Sequence, residues 1–536
     1  MAMDATQLGI FEQACAELQN GDATARQAAE EMLMQMRTSE HAVAVAAAAV
    51  QGAASSGAKF QAALIMRDAA LRDWASTPKP ERARIRDELL AYTLANHASL
   101  EGFVTRQLLQ VAALLIKRGW LDDAPPAAEA AAAAAAGASS PAAQAAANRD
   151  ARLQALAGGS AAAAVFDRLP ALLGSGDLAL QHVAGQLLLT LTDEFSFTRA
   201  SAVGLAWEEH ARARTGFEMV ALQRVFSLAL DVLEQHANVA AQCGGGGSRY
   251  EEWLGTWLGV LSVVLSWDFA TASDSEAVLA GMASSRMKKG GADSADVALL
   301  TPGETWRAAL TDGRLLALMF ALADATAPYR LHAETPNGIA QNIQNPAVPK
   351  SARVALLALS KLEGTVFADR NSRSAFYNAF LGHALGWLEG AVNVIERVVT
   401  QQDDADMCSD AAQVVLDGLS VVERLFNNLA KYRDILFIAW DSGAAGASPQ
   451  AGAAGAPELG RLLAQLERVA AFALARSAAG KGALGDGSEG ESMEDLIACA
   501  ESCSGACDLQ TASSTIEYLH SNAVAIEPSA ALALSN

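Results

Sequence analysis

Through the first 120 residues, apolar side chains return every three or four positions, the period of a helix that buries one face. Leu8, Phe11, Cys15 and Leu18 set this rhythm over residues 6–18, and Asn20-Gly21 breaks it. Asp22 is placed to cap a second helix whose inward face is Ala25, Ala29, Met32 or Leu33, and Met36. Residues 39–50 read as a short Ala/Val helix, ended by Gly52 and the turn at 55–57. Phe60, Ala63, Leu64, Leu71 and Trp74 mark one face of a longer helix. Thr77-Pro78-Lys79-Pro80 stops it, because proline has no amide hydrogen to give the helical ladder. Residues 82–94 form the next helix, and Ser99 is expected to cap its successor, on which Val104, Leu108, Val111 and Leu115 repeat at four, three and four.

Six helices make three hairpins of about 35 to 45 residues each, the length of a HEAT-type unit. One hairpin cannot bury its apolar face alone, but a stack of hairpins shares one continuous core. The expected fold class is therefore all-α: an α-solenoid, a right-handed superhelix of HEAT/armadillo-like helical hairpin repeats. Residues 1–120 would hold repeats 1–3, and 121–148 an Ala-rich low-complexity insertion. Further repeats would fill 149–440, a linker 441–457, and the C-terminal helices of the solenoid 458–536. The helical period returns over 178–191, 217–236, 250–265, 306–323, 351–362, 376–399, 411–429 and 459–474. Gly/Ser/Ala-rich linkers fall at 244–247, 284–294, 443–457 and 480–492. No alternating five-residue strands interrupt the pattern, so the βαβ rhythm of a nucleotide-binding enzyme is absent.

Composition supports a packed helical chain. At 536 residues it exceeds what one core can serve, and 51% hydrophobic against 18% charged residues excludes a disordered polymer. Charge changes the picture more. Sixty Asp and Glu face 39 Lys and Arg, a net charge of −21, with no basic stripe to meet phosphates. That argues against nucleic acid and for basic protein partners. Six cysteines form no disulfide framework, and residues 1–10 show no secretory signal, so a reducing compartment is expected. Apart from the Ala-rich tract, no uninterrupted apolar stretch reaches membrane-spanning length, so no membrane partner is expected.

Candidate chemistry is sparse. Cys499, Cys503 and Cys507 share a helical face but lack a fourth ligand at zinc spacing. The eight histidines are scattered, Gly480-Lys481 lacks the rest of a phosphate loop, and the Gly244–Gly247 run follows no strand. Neither a catalytic residue, a metal site nor a cofactor is expected, and the chain does not read as an enzyme.

Three local patterns bring in a resemblance. Arg26-Gln-Ala-Ala-Glu30 followed by Leu33 resembles the opening signature of the importin-β (karyopherin-β) family of nuclear transport receptors. Phe60-Gln-Ala-Ala-Leu64 through Arg72-Asp-Trp74 is similar to the second-repeat helix of its exportin branch. Phe103 through Arg106-Gln107, and on to Lys117-Arg118-Gly119-Trp120, is similar to the third-repeat helix and its exit. Asp193-Glu-Phe-Ser196, Trp267-Asp-Phe269, Trp306-Arg307 and Ser360-Lys-Leu-Glu-Gly364 with Val366-Phe367 follow in the order found in that branch. Family members run to about twice this length, so the chain is expected to match their N-terminal half, with residues 1–120 as the importin-β N-terminal-type region.

The resemblance implies a receptor that shuttles between nucleus and cytoplasm. It would bind the GTP form of the small GTPase Ran, basic protein cargo such as translation initiation factor 5A or a Smad-type factor, and the phenylalanine-glycine repeats of the nuclear pore. It also implies that the second helices of the repeats meet Ran through Lys59, Arg67, Arg72, Arg106, Lys117 and Arg118. The residues alone leave a second reading open: those six are surface charges paired with Asp68, Asp73 and Asp122, on a HEAT-repeat scaffold or adaptor without Ran dependence.

Overall fold

Short connections decide how the N-terminal helices meet. Helix α1 (Ala5–Asn20) and α2 (Ala23–Thr38) are joined by two residues, so they fold back on each other. Asp22 caps α2 as its position suggests, its Oδ1 accepting the Ala25 N–H at 2.8 Å. Helix α3 (Ala42–Gly52) pairs with α4 (Ser56–Arg72), which Ser55 caps through the Ala58 N–H at 3.1 Å. Helix α5 (Lys79–Ala95) starts after Pro78, with Pro80 in its first turn where no amide partner is needed. It pairs with α6 (Gly102–Arg118). Ser99 does not cap α6: its hydroxyl bonds the Asn96 carbonyl in the preceding turn, and Glu101 stands at the cap position without a side-chain bond.

The computed structural model describes residues 5–123, 140, 156, 158–196, 205–243, 247–269, 300–325 and 347–401, with 415, 418, 421, 425 and 468. It divides into two units, Met1–Leu233 with Glu252–Ala295, and Glu234–Glu251 with Asp296–Asn536. The cysteines at 499, 503 and 507, the linkers at 284–294, 443–457 and 480–492, and nearly all of the segments 411–429 and 459–474 lie outside the described residues, as does most of the Ala-rich stretch.

In the first unit the second helix of each pair touches the next: α2 on α4, α4 on α6, and α6 on α9 (Leu178–Ser196). This is the all-helical, hairpin-repeat stack expected from the period. Two short helices, α7 (Gly159–Phe166) and α8 (Leu169–Leu173), lead into α9. Val104, Leu108, Val111 and Leu115 are fully or almost fully buried, each such side chain contributing about 1.5–3 kcal/mol over exposure. Helix α4 differs from expectation. Phe60, Leu64 and Leu71 are only half-buried, and the seam is Ala58, Ala62, Ala63, Ile65, Met66 and Ala69. Four of these are alanines, and α3 answers with Ala42, Ala46 and Ala49, so the two helix axes can approach closely.

Downstream, the single helix expected over 217–236 is three elements: α10 (Trp207–Phe217), a π turn (Glu218–Leu222) and α11 (Gln223–Leu233). The π turn carries Glu218, which has inward work to do. Gly158 precedes α7 at φ +81°, and a Cβ there would sit 2.6 Å from the Trp120 ring, so only glycine fits.

The second unit holds α12 (His236–Gln242), a 3-10 turn (Glu304–Trp306), α14 (Arg307–Leu310), α15 (Arg314–Ala325), α16 (Ala347–Leu359) and α17 (Arg370–Gln401). Helix α13 (Ser248–Leu265) begins in this unit and runs on in the first. Residues 306–323, expected as one helix, are interrupted after Leu310 by a turn with Gly313 at φ +69°. Phe320 sits among Phe380, His383 and Trp387, and α15 packs on α16 and α17. Among the described residues the one isolated β-bridge pairs Leu300 with Leu362, inside the Ser360–Gly364 motif.

Candidate functional site

The basic residues of the second helices divide by burial. On α4, Arg67 Nε meets Asp68 Oδ1 at 2.8 Å, and Arg37 on α2 reaches Asp68 Oδ2 at 3.3 Å. Arg72, at the end of α4, donates to the Ser39 carbonyl at 3.1 Å and to Asp73, whose carboxyl is held below its ordinary range by that bond. Arg37, Arg67 and Arg72 thus gather around two carboxylates at a half-exposed surface, three positive charges against two negative. Lys59 is half-buried and committed: its Nζ donates to the Val50 carbonyl at 2.9 Å and to the Tyr92 hydroxyl at 2.8 Å, tying α3, α4 and α5 together.

Arg106 stands exposed on α6 beside Phe103, which is 50% exposed and lies 5.8 Å from Phe60. Its charge reaches His182 on α9. Both ring nitrogens of His182 are engaged, with Gln186 Nε2 at 2.8 Å and Thr256 Oγ1 at 3.2 Å. Burial lowers the His182 pKa; Glu252 opposes that shift and Arg106 adds to it.

Lys117 is a different case. Its side chain has no exposed surface, and its Nζ donates to Glu194 Oε1 at 2.9 Å and to the Glu194 carbonyl. Burial pushes the Lys117 ammonium below its ordinary range and the Glu194 carboxyl above its own. Of the six candidates Lys117 therefore offers nothing to a surface; it holds α6 to α9.

Behind that pair lies a cluster that sequence reasoning missed. Trp120, Phe195, Phe217 and Trp267 pack ring on ring at centroid distances of 5.0, 4.4 and 6.0 Å. Arg214, buried to 1%, lies 4.6 Å over Trp267, donates to the Asp268 carbonyl at 2.8 Å and pairs with Glu218 at 3.6 Å. Glu218 in turn accepts the Trp267 indole N–H at 2.9 Å. The Asp193–Ser196 and Trp267–Phe269 motifs are halves of this one core. The available signal was a lysine directly after Leu-Leu-Ile, on the buried face of α6.

Of the signature residues, all but Glu30 take structural positions. Arg26 Nε braces the Gly21 carbonyl at 3.0 Å, Glu30 is exposed, and Leu33 is buried. Trp74, 8% exposed, lies between the guanidinium groups of Arg82 at 4.7 Å and Arg118 at 5.9 Å. A Cβ at Gly119 would rest 3.7 Å from its ring. Asp122 pairs with Arg82 at 2.7 Å. Among the described residues no group of three His, Cys, Asp or Glu side chains gathers as metal ligands, and no helix is long and apolar enough to cross a membrane.

Comparison with known proteins adds a direction. No family model matches the chain. Over 270 residues, 49% of this chain, it is 21% identical to exportin-4 of Dictyostelium discoideum, a match that spans 22% of that protein's length. Among solved structures, it aligns with the karyopherin Kap121p bound to the SUMO protease Ulp1p at 13% identity and a TM-score of 0.25, covering 99% of this chain and 56% of that one. The sequence similarity is thus to a nuclear transport receptor, in keeping with the resemblance of the N-terminal helices to the importin-β family.

Proposed function

We propose that the chain is a transport receptor of the exportin type, similar to exportin-4, which binds Ran in its GTP form together with protein cargo and shuttles between nucleus and cytoplasm. The observation that carries this is the 270-residue similarity to exportin-4, in a chain whose N-terminal helices stack as hairpin repeats. Binding without catalysis suits such a stack: consecutive second helices offer a long surface to a folded partner. The Ran-facing residues in this reading are Arg67, Arg72 and Arg106, with Arg37 beside them; Arg118 stacks at the α6 exit, Lys59 braces from below, and Lys117 drops out. Basic cargo, of which translation initiation factor 5A and a Smad-type factor are the candidates, fits the net charge of −21. Phenylalanine-glycine repeats of the pore complete the set of partners.

A pull-down of the full chain with Ran locked in each nucleotide state tests this. Retention of the GTP form at least about tenfold over the GDP form is expected, a coupling of about 1.4 kcal/mol. Cargo should tighten Ran binding, since coupling between two ligands is reciprocal. Equal retention of both forms, or of neither, overturns the reading in favour of a scaffold without Ran dependence.

A further inference from the structure

A second surface feature is lined by none of the residues assigned to Ran. Lys79, Arg82 and Arg86 are spaced three and four apart on α5, so one face of its first turns carries all three. They line a cleft of about 170 Å³ between α5, the end of α6 and the start of α7. Trp74 forms one wall, with the Arg82 guanidinium over its ring.

The hydrogen bonds in this cleft do not use up its donors. Arg82 spends two of the five N–H groups an arginine carries, on the Thr77 carbonyl at 2.8 Å and Asp122 Oδ1 at 2.7 Å. Arg86 spends two, both on Asp87, at 2.9 and 3.3 Å. Lys79 spends one of its three on the Asp122 carbonyl. The two carboxylates on the cleft wall are themselves committed, Asp122 to Arg82 and Asp123 to the Ser160 N–H at 2.7 Å. Counting Asp87, which pairs with Arg86, and Arg168, which lies 3.9 Å from Asp87, four cations stand against three anions, a small positive excess in a chain whose net charge is −21. The side chains of Arg82 and Arg86 are only 13% and 5% exposed, so water screens their charge weakly.

We propose that this cleft binds a phosphate monoester or free phosphate. Surplus, partly desolvated donors on two arginine forks and an ammonium suit a compact tetrahedral oxyanion, which can accept from all three at once. The cleft has room for a phosphate group but not for a nucleoside. The phosphate arrives either free or on a phosphorylated serine or threonine of a peptide segment. The inference is independent of Ran binding.

Titration calorimetry on the full chain at low ionic strength tests it. The probes are inorganic phosphate, a phosphoserine peptide and the same peptide unphosphorylated. Saturable one-to-one binding of a phosphate-bearing probe is expected, with none for the unphosphorylated peptide. A phosphopeptide at least tenfold tighter than inorganic phosphate assigns the site to a phosphorylated segment; the reverse order assigns it to the free ion. Lys79→Gln, at an exposed position, should weaken binding at least fivefold, and Asp122→Asn should strengthen it at least threefold. A merely structural role for these residues would produce no such opposite pair. Melting curves confirm that each variant folds. No saturable binding to the folded wild-type chain, or affinities that neither substitution changes, would overturn the proposal.

Discussion

A lysine with no exposed surface survives only because an acceptor is built around it. Lys117 has Glu194 at 2.9 Å, and removing either partner strands a charge among rings and aliphatic side chains. Lys117→Met alone should lower stability by about 3–5 kcal/mol, read from the urea midpoint of the helical signal, while pairing it with Glu194→Leu should recover most of the loss. His182 makes a pH prediction. Its folded pKa lies below the ordinary 6.5, so the unfolded chain binds the proton more readily. Stability from this group is complete above 6.5 and is lost as pH falls through the folded value. His182→Gln should flatten the decline in melting temperature on that side of pH 6.5. At this scale the sequence was legible where size and period agree, as at Val104, Leu108, Val111 and Leu115. It was not legible at Lys117, because a lone cation reads as surface until its partner, 77 residues away, is brought beside it.

Elements were legible as far as helix period and breakers reach. The three N-terminal hairpins, the Asp22 cap and the Pro78 stop stand as the pattern indicates. The inward face of α4 was misassigned at Phe60, Leu64 and Leu71, though not at Ala63 and Trp74, because it is packed by α1, α2, α3 and α6 together and alanines carry its seam. Apolar periodicity follows bulk and is blind to close approach through small residues. Ala62→Leu should therefore overpack the α4 seam and cost about 1–3 kcal/mol, measured by thermal melting, whereas the same change at an exposed alanine should cost little. The π turn at Glu218–Leu222 could not be read from sequence at all, since one extra residue in a turn leaves the apolar rhythm nearly intact. Its effect is geometric: it lets Glu218 face Arg214 and Trp267 while Met219 and Val220 face outward. Deleting Val220 would close the turn to α pitch and leave the flanking helix faces in place, but would pull Glu218 away from Arg214 and Trp267. A fall in melting temperature of about 5 °C or more is expected.

On the scale of the whole molecule, charge and repetition act together. With a net charge of −21, association with a basic partner should slow as salt rises, and stopped-flow rates at about 50 and 300 mM salt should differ at least severalfold. Repeat organisation was legible because each hairpin solves the same burial problem locally. The aromatic and ionic core behind Lys117 was not, because it joins the motif at 193–196 to the one at 267–269 across the four helices, α10 to α13, that separate them in the chain. The same region has one more consequence. The carboxylate of Asp123 accepts the Ser160 amide at 2.7 Å, and the Trp120 indole donates to the Leu156 carbonyl at 2.9 Å. Asp123 and Ser160 are thus held side by side however many residues the sequence places between them. Doubling such a detour costs only about 0.6 kcal/mol of closure entropy. Excising residues 127–147, or duplicating them, should thus shift the urea midpoint hardly at all, making this gateway a place where evolution or an engineer can splice in new sequence without disturbing its neighbours.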